Sequence, residues 1–87
     1  MKKITILLAE DHVVVRESIR RFLEREAKFE VIGEAGDGEE AVQMVKQLKP
    51  DVIVIDISMP KLNGIEATKQ IKALQPSAVI LILTAYD

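Results

Sequence analysis

DVIVIDISMP, residues 51–60, is the stretch on which the fold turns. Val52, Ile53, Val54 and Ile55 form an unbroken apolar run with no polar alternation. Such a run predicts a strand covered on both faces, as in the middle of a parallel sheet. It ends abruptly on a carboxylate, Asp56. A lone carboxylate inside such a sheet is costly to bury, so Asp56 needs a reason that its surroundings must supply.

Outward from this strand, apolar runs alternate with helical patterns. Downstream, NGIEATKQIKAL places Asn63 three residues before Glu66, a capping-box signature, and sets Ala67, Ile71 and Leu74 on one helical face. Ala78 to Leu83 then reads as a last strand. Upstream, GDGEEAVQMVKQLKP repeats the device with Asp37 and Glu40, carries Ala41, Val45 and Leu48 as its stripe, and stops at Pro50. Phe29 to Ala35 is a weaker strand, diluted by Glu30, Gly33 and Glu34, and is placed at a sheet edge. His12 to about Ala27 reads as a helix with Val15, Ile19, Phe22 and Leu23 inward and Arg16, Glu17, Arg20, Arg21 and Glu24 in solvent. Ile4 to Ala9 is a second buried strand. The order βαβαβαβ predicts a parallel α/β sheet with helices on both faces and right-handed crossovers.

The 87 residues make one small domain. Hydrophobic residues are 48% of the chain and aromatic ones 3%, so Ile, Val and Leu must fill the core. A formal net charge of -2, with both signs interspersed, gives no electrostatic ground for nucleic-acid binding. The absence of cysteine excludes disulfides and thiolate metal sites. The first apolar run is too short for a signal-peptide core, and nothing approaches transmembrane length. The expectation is a soluble, cytoplasmic protein without membrane contact.

In open parallel sheets ligands sit at the carboxyl ends of the strands. Here the first strand delivers Glu10 and Asp11, the third Asp56 and the fourth Thr84. If the first and third strands are neighbours, three carboxylates converge. Two unit charges about 4 Å apart repel by roughly 4 kcal/mol at an effective dielectric of about 20, so the group calls for a cation. Oxygen-only ligands in a shallow site select Mg²⁺. A carboxylate beside such an ion suits phosphoryl transfer onto Asp56, with the Thr84 hydroxyl donating to the phosphoryl group.

Blander readings stand beside this one. Glu10 and Asp11 alone read better as acids at the positive end of a helix, Asp56 alone as a loop-entry residue, and Thr84 alone as an ordinary strand residue. Their joint placement past three strands shifts the balance to a site. His12, the single histidine, is a metal ligand or proton carrier on one reading and a surface helix-start residue on the favoured one. Met44 and Met59 read as packing residues, and the lysines as solvated surface. A haloacid-dehalogenase-type phosphatase needs a second acid where Ser58 stands. A dinucleotide-binding enzyme needs glycines that AEDHVV lacks and that GEAGDG has at the wrong spacing.

ILLAEDHVVVRESIRRFLE, IGEAGDGEEAV, PDVIVIDISMPKLNGIEATKQIK and ILILTAYD together resemble the receiver domain of two-component response regulators. His12 and the NGIEATKQIK helix are most similar to regulators with a LuxR/NarL-type DNA-binding output domain. The resemblance implies a flavodoxin-like sheet of strand order 2-1-3-4. It implies that Asp56 accepts a phosphoryl group from a phosphohistidine of a sensor histidine kinase. It further implies that Glu10, Asp11, Asp56 and the Ser58 backbone carbonyl hold Mg²⁺. Thr84 and the Ala85 N–H would contact the phosphoryl group, and Pro60 and Gly64 would shape the loop.

The family continues past the point matched by Asp87 into a fifth strand with a phosphoryl-binding lysine and further helices, so residues 1–87 are expected to be an incomplete receiver. No output domain, and hence no direct DNA contact, is expected within them. No lysine here matches the missing one, which keeps open a second function, a docking or dimerisation module that no longer phosphorylates. The fourth strand, left as an edge, is expected to leave the 87 residues either marginal in stability or rescued by self-association through strand exchange or edge pairing.

Overall fold

The computed structural model describes residues 2–59 and 61–83. The chain runs β1 (Ile4–Ala9), α1 (Val13–Glu24), β2 (Phe29–Ala35), α2 (Gly38–Leu48), β3 (Val52–Asp56), α3 (Gly64–Leu74) and β4 (Val79–Leu83). The four strands form one parallel sheet in the order β2-β1-β3-β4. This is the flavodoxin-like arrangement implied by the resemblance, with β2 at an edge as its diluted sequence suggested.

The unalternating runs of β1 and β3 are buried because each face of the sheet carries helix. On one face Leu7, Ala9, Ile53 and Ile55 pack with Ala41, Val42 and Val45 of α2 and Ala67 and Ile71 of α3. On the other, Ile6, Leu8 and Val54 pack with Ile19 and Leu23 of α1. Leu7, Leu8, Ile53 and Ile55 are fully buried, each a contribution of about 1.5–3 kcal/mol relative to exposure.

The two helix starts read from the sequence are capped as expected. The Glu40 N–H donates to Asp37 Oδ1 at 2.8 Å, and Glu40 Oε1 accepts from the Gly36 N–H at 2.6 Å. The Glu66 N–H donates to Asn63 Oδ1 at 2.9 Å. Gly38, just inside α2, cannot carry a side chain, because a Cβ there would lie 1.8 Å from the Leu62 carbonyl oxygen. That close approach lets the loop before α3 lie directly on the start of α2.

The α1 expectation needs two corrections. The helix stops at Glu24 rather than near Ala27. Arg25 and Glu26 donate to the Phe22 and Leu23 carbonyls, and the Phe29 N–H to Glu26, closing a turn that feeds β2. Phe22 and Val15, assigned to the inward stripe, are exposed, as are Leu48 and Leu74 at the ends of their helices. Helix α1 lies over β1 and β2, so Ile19 and Leu23 face the sheet while Phe22 stands to the side, near Phe29. On β4, Val79, Leu81 and Ile82 are exposed, and among the described residues β4 pairs with β3 alone.

Candidate functional site

Adjacency of β1 and β3 creates the site. Ala9 pairs with Ile55, so the residues that follow β1 meet the residue that ends β3. Glu10 and Asp56 are each only 5% exposed, while the Asp11 side chain keeps 26% of its surface. One donor atom from each of Glu10, Asp11, His12 and Asp56 lies within 4.8 Å of the others.

Few hydrogen bonds offset this convergence of negative charge. Glu10 Oε2 accepts from the His12 N–H at 3.1 Å and lies 3.1 Å from His12 Nδ1. Asp56 Oδ1 accepts from the Ser58 N–H at 3.3 Å. Asp11 Oδ1 is buried without a hydrogen-bond partner, although His12 Nδ1 stands 3.2 Å away. Burial pushes the Glu10 carboxyl above its usual range, with Asp11 and the charge of Asp56 adding to the rise and the His12 contacts opposing it. The hydrogen bond to Glu10, then the charges of Asp11 and Glu10, raise the pKa of the His12 imidazole.

The capping alternative for the acidic pair is not what the structure favours. His12 is the N-cap of α1, the first turn holds no acid, and Glu10 accepts from the N-cap amide rather than from a first-turn one. His12 does start the helix with its side chain 70% exposed, as the favoured reading had it, yet Nδ1 faces the carboxylates. Gly64 opens α3 where a Cβ would stand 2.5 Å from the Asp56 carbonyl oxygen, so the loop after β3 folds back tightly on the strand end. Leu83 pairs with Asp56. Thr84 and Ala85, the expected phosphoryl contacts, and Pro60 lie outside the described residues.

Sequence reasoning missed Arg16, which it left on the solvated face. Its side chain is 19% exposed. Nη1 donates to the Glu10 carbonyl at 2.8 Å and Nε to Glu34 Oε1 at 3.2 Å, while Arg20 Nη1 donates to Glu34 Oε2 at 2.7 Å. The available signal was an arginine one helical turn beyond His12, able to reach back over the acidic pair, with Glu34 as the acid that interrupts β2. Among the described residues no helix is long and apolar enough to cross a membrane.

Residues 6–87 match the response regulator receiver domain family. The transcriptional regulatory protein DegU of Brevibacillus brevis is 44% identical over 85 residues, 98% of this chain and 36% of DegU. A protein-glutamate methylesterase/protein-glutamine glutaminase of Nitrosospira multiformis is 44% identical over 84 residues, 97% of this chain and 24% of the enzyme. The chain thus spans less than two-fifths of the length of these relatives. The signal receiver domain of the putative response regulator NarL from Mycobacterium tuberculosis superimposes with a TM-score of 0.93 at 29% identity, covering 100% of this chain and 70% of that one. The CheX-CheY-BeF3-Mg²⁺ complex from Borrelia burgdorferi gives 0.91 at 28% identity, covering 98% of this chain and 64% of that one. With its four parallel strands in receiver order and its acids gathered where β1 and β3 end, this chain belongs to the response regulator receiver domain family.

Proposed function

We propose that this chain is the phosphoacceptor module of a two-component system, receiving a phosphoryl group on Asp56 from a phosphohistidine of a sensor histidine kinase. The observation that carries the reading is the Asp56 carboxylate, buried at the exit of β3 against Glu10 and Asp11. In the transfer an Asp56 oxygen forms the new O–P bond as the N–P bond of the phosphohistidine breaks. The departing imidazole nitrogen keeps the electron pair.

The donor set fits a divalent cation. The orphaned, buried Asp11 Oδ1 supports this, because a lone carboxylate oxygen without a donor is costly unless a cation serves it. Glu10, Asp11, Asp56 and the Ser58 backbone carbonyl are the residues that would hold Mg²⁺. When bound, the ion supplies positive charge to the carboxylates and to the incoming phosphoryl group. Rigid presentation of Asp56 by a central strand, the Ser58 N–H on Asp56 Oδ1 and the tight turn at Gly64 hold the nucleophile in place. Thr84 and the Ala85 N–H are assigned to the phosphoryl oxygens, and Pro60 with Gly64 to the shape of the loop.

The output is a partner domain beyond this receiver. Similarity to DegU favours control of transcription through a DNA-binding domain, in the cytoplasm, with the receiver itself non-enzymatic. Similarity to the methylesterase names an enzyme domain as the other kind of output. A second reading, docking or dimerisation without phosphorylation, draws support from the exposed apolar residues of β4. Intact mass before and after incubation with Mg²⁺ and acetyl phosphate separates the two. Phosphoacceptor function predicts one added phosphoryl group that is absent in Asp56→Asn. An unmodified wild-type chain supports the docking reading instead.

A further inference from the structure

His12 stands at the rim of the acidic pocket, and its role is not exhausted by starting a helix. Its side chain makes no cap hydrogen bond to α1. The ring turns instead toward the end of β1, with Nδ1 at 3.1 Å from Glu10 Oε2 and 3.2 Å from Asp11 Oδ1. The second contact does not satisfy Asp11 Oδ1, which has no hydrogen-bond partner. Nδ1 thus faces an oxygen that needs a cation.

The distances suit a shared ion. Donors bound to one ion at about 2.0–2.2 Å lie no more than about 4.4 Å apart. The donor atoms of Glu10, Asp11, His12 and Asp56 lie within 4.8 Å of one another. An inward movement of each donor of up to about 1 Å brings all four within reach of a single ion. In the neutral ring with its proton on Nε2, Nδ1 offers a lone pair to the pocket. The bond forms from that lone pair in exchange for a metal-bound water, and a ring protonated on Nδ1 first releases that proton to solvent, with no change of oxidation state.

We infer that His12 is a nitrogen donor of this pocket, which tunes the site toward borderline divalent ions such as Co²⁺, Ni²⁺ or Zn²⁺ relative to the oxygen-only set that suits Mg²⁺. The inference rests on the reading of the pocket as a cation site and concerns which cation it takes. Carboxylates alone serve hard ions, and an imidazole adds affinity along the series toward Ni²⁺ and Zn²⁺ while adding little for Mg²⁺.

The test uses the whole chain, with calorimetric titration of Co²⁺ and, separately, Mg²⁺ into wild type, His12→Gln and Asp11→Asn. Pulsed EPR of the Mn²⁺-loaded protein supplies a direct readout of a nitrogen ligand, and the chain holds one histidine to which an imidazole coupling is assigned. The exposed position of His12 leaves folding of His12→Gln intact, checked by circular dichroism. The expected result is a loss of about ten-fold in Co²⁺ affinity in His12→Gln, a Mg²⁺ affinity changed by less than about two-fold, and loss of the nitrogen coupling. Equal weakening of both ions, or no imidazole coupling in wild type, overturns the role of His12. If neither ion binds wild type, or Asp11→Asn leaves both unchanged, the cation-site reading itself fails and takes this inference with it.

Discussion

Two carboxylates at opposite ends of the β1–β3 pair respond to opposite surroundings. Asp51 accepts from the Thr5 N–H at 2.9 Å and the Thr5 hydroxyl at 3.0 Å, and these bonds hold its carboxyl below the usual range. Its ionised form therefore stabilises the fold above the unfolded value of about 3.9, and the contribution is lost as pH falls below that. Urea unfolding midpoints measured at pH 5 and pH 3 are expected to fall with acid in wild type and to fall less in Asp51→Asn. Glu10 behaves the other way. Burial raises its pKa, so its ionisation opposes folding once pH passes the unfolded carboxylate range. Glu10→Gln is expected to raise the metal-free melting temperature at pH 7. On the Mg²⁺ reading proposed above, the ion is expected to stabilise wild type by about 2.7 kcal/mol at a hundred times Kd, and the same variant should lose most of that. Differential scanning fluorimetry with and without Mg²⁺ reads both effects, and a less stable metal-free variant would contradict the first. Glu10, Asp11 and Asp56 were legible in the sequence because each sits where an apolar run stops. The orientation of His12 was not, because no periodicity records which way an N-cap side chain turns.

Helix α1 is the element that fixes the acidic turn. Arg16 spans from the Glu10 carbonyl to Glu34 on β2, and Arg20 shares Glu34. Removing the guanidinium leaves a half-buried carboxylate with one partner fewer and frees the Glu10 carbonyl. Arg16→Met is expected to cost about 1.5–3 kcal/mol, the range for hydrogen bonds to charged groups. Cation affinity should fall along with it. A denaturant double-mutant cycle with Glu34→Gln should show coupling above about 0.5 kcal/mol, and additive losses would sink the clamp. The caps of α2 and α3 were legible because a cap is a local device with a fixed spacing. The inward face of α1 was read too wide, since a helical period gives a stripe but not the edge at which the sheet ends beneath it. Phe22 falls just past that edge.

At the scale of the molecule, the sheet has one face under α2 and α3 and another under α1, which reaches β1 and β2. Val79 and Leu81 of β4 are 54% exposed on the part that α1 does not reach. This 87-residue chain is expected to associate with itself at micromolar to millimolar concentration. Sedimentation velocity over a concentration series should show a rising mass that Leu81→Lys returns to the monomer. A concentration-independent monomer in wild type would reject that expectation. Alternation of strand and helix was enough to read a parallel α/β sheet. The order β2-β1-β3-β4 came from family resemblance, because apolar runs of similar strength do not say which of them are neighbours.

That order has a consequence for how the molecule comes into being. The β1–β3 pair is clasped by Thr5 and Asp51, 46 residues apart, at one end, and carries the gathered acids at the other. Neither half of the acidic pocket means anything to a cation before that long loop closes. The proposed cation site is therefore a product of the central strand pairing, with Glu10 and Asp11 brought by β1 and Asp56 by β3.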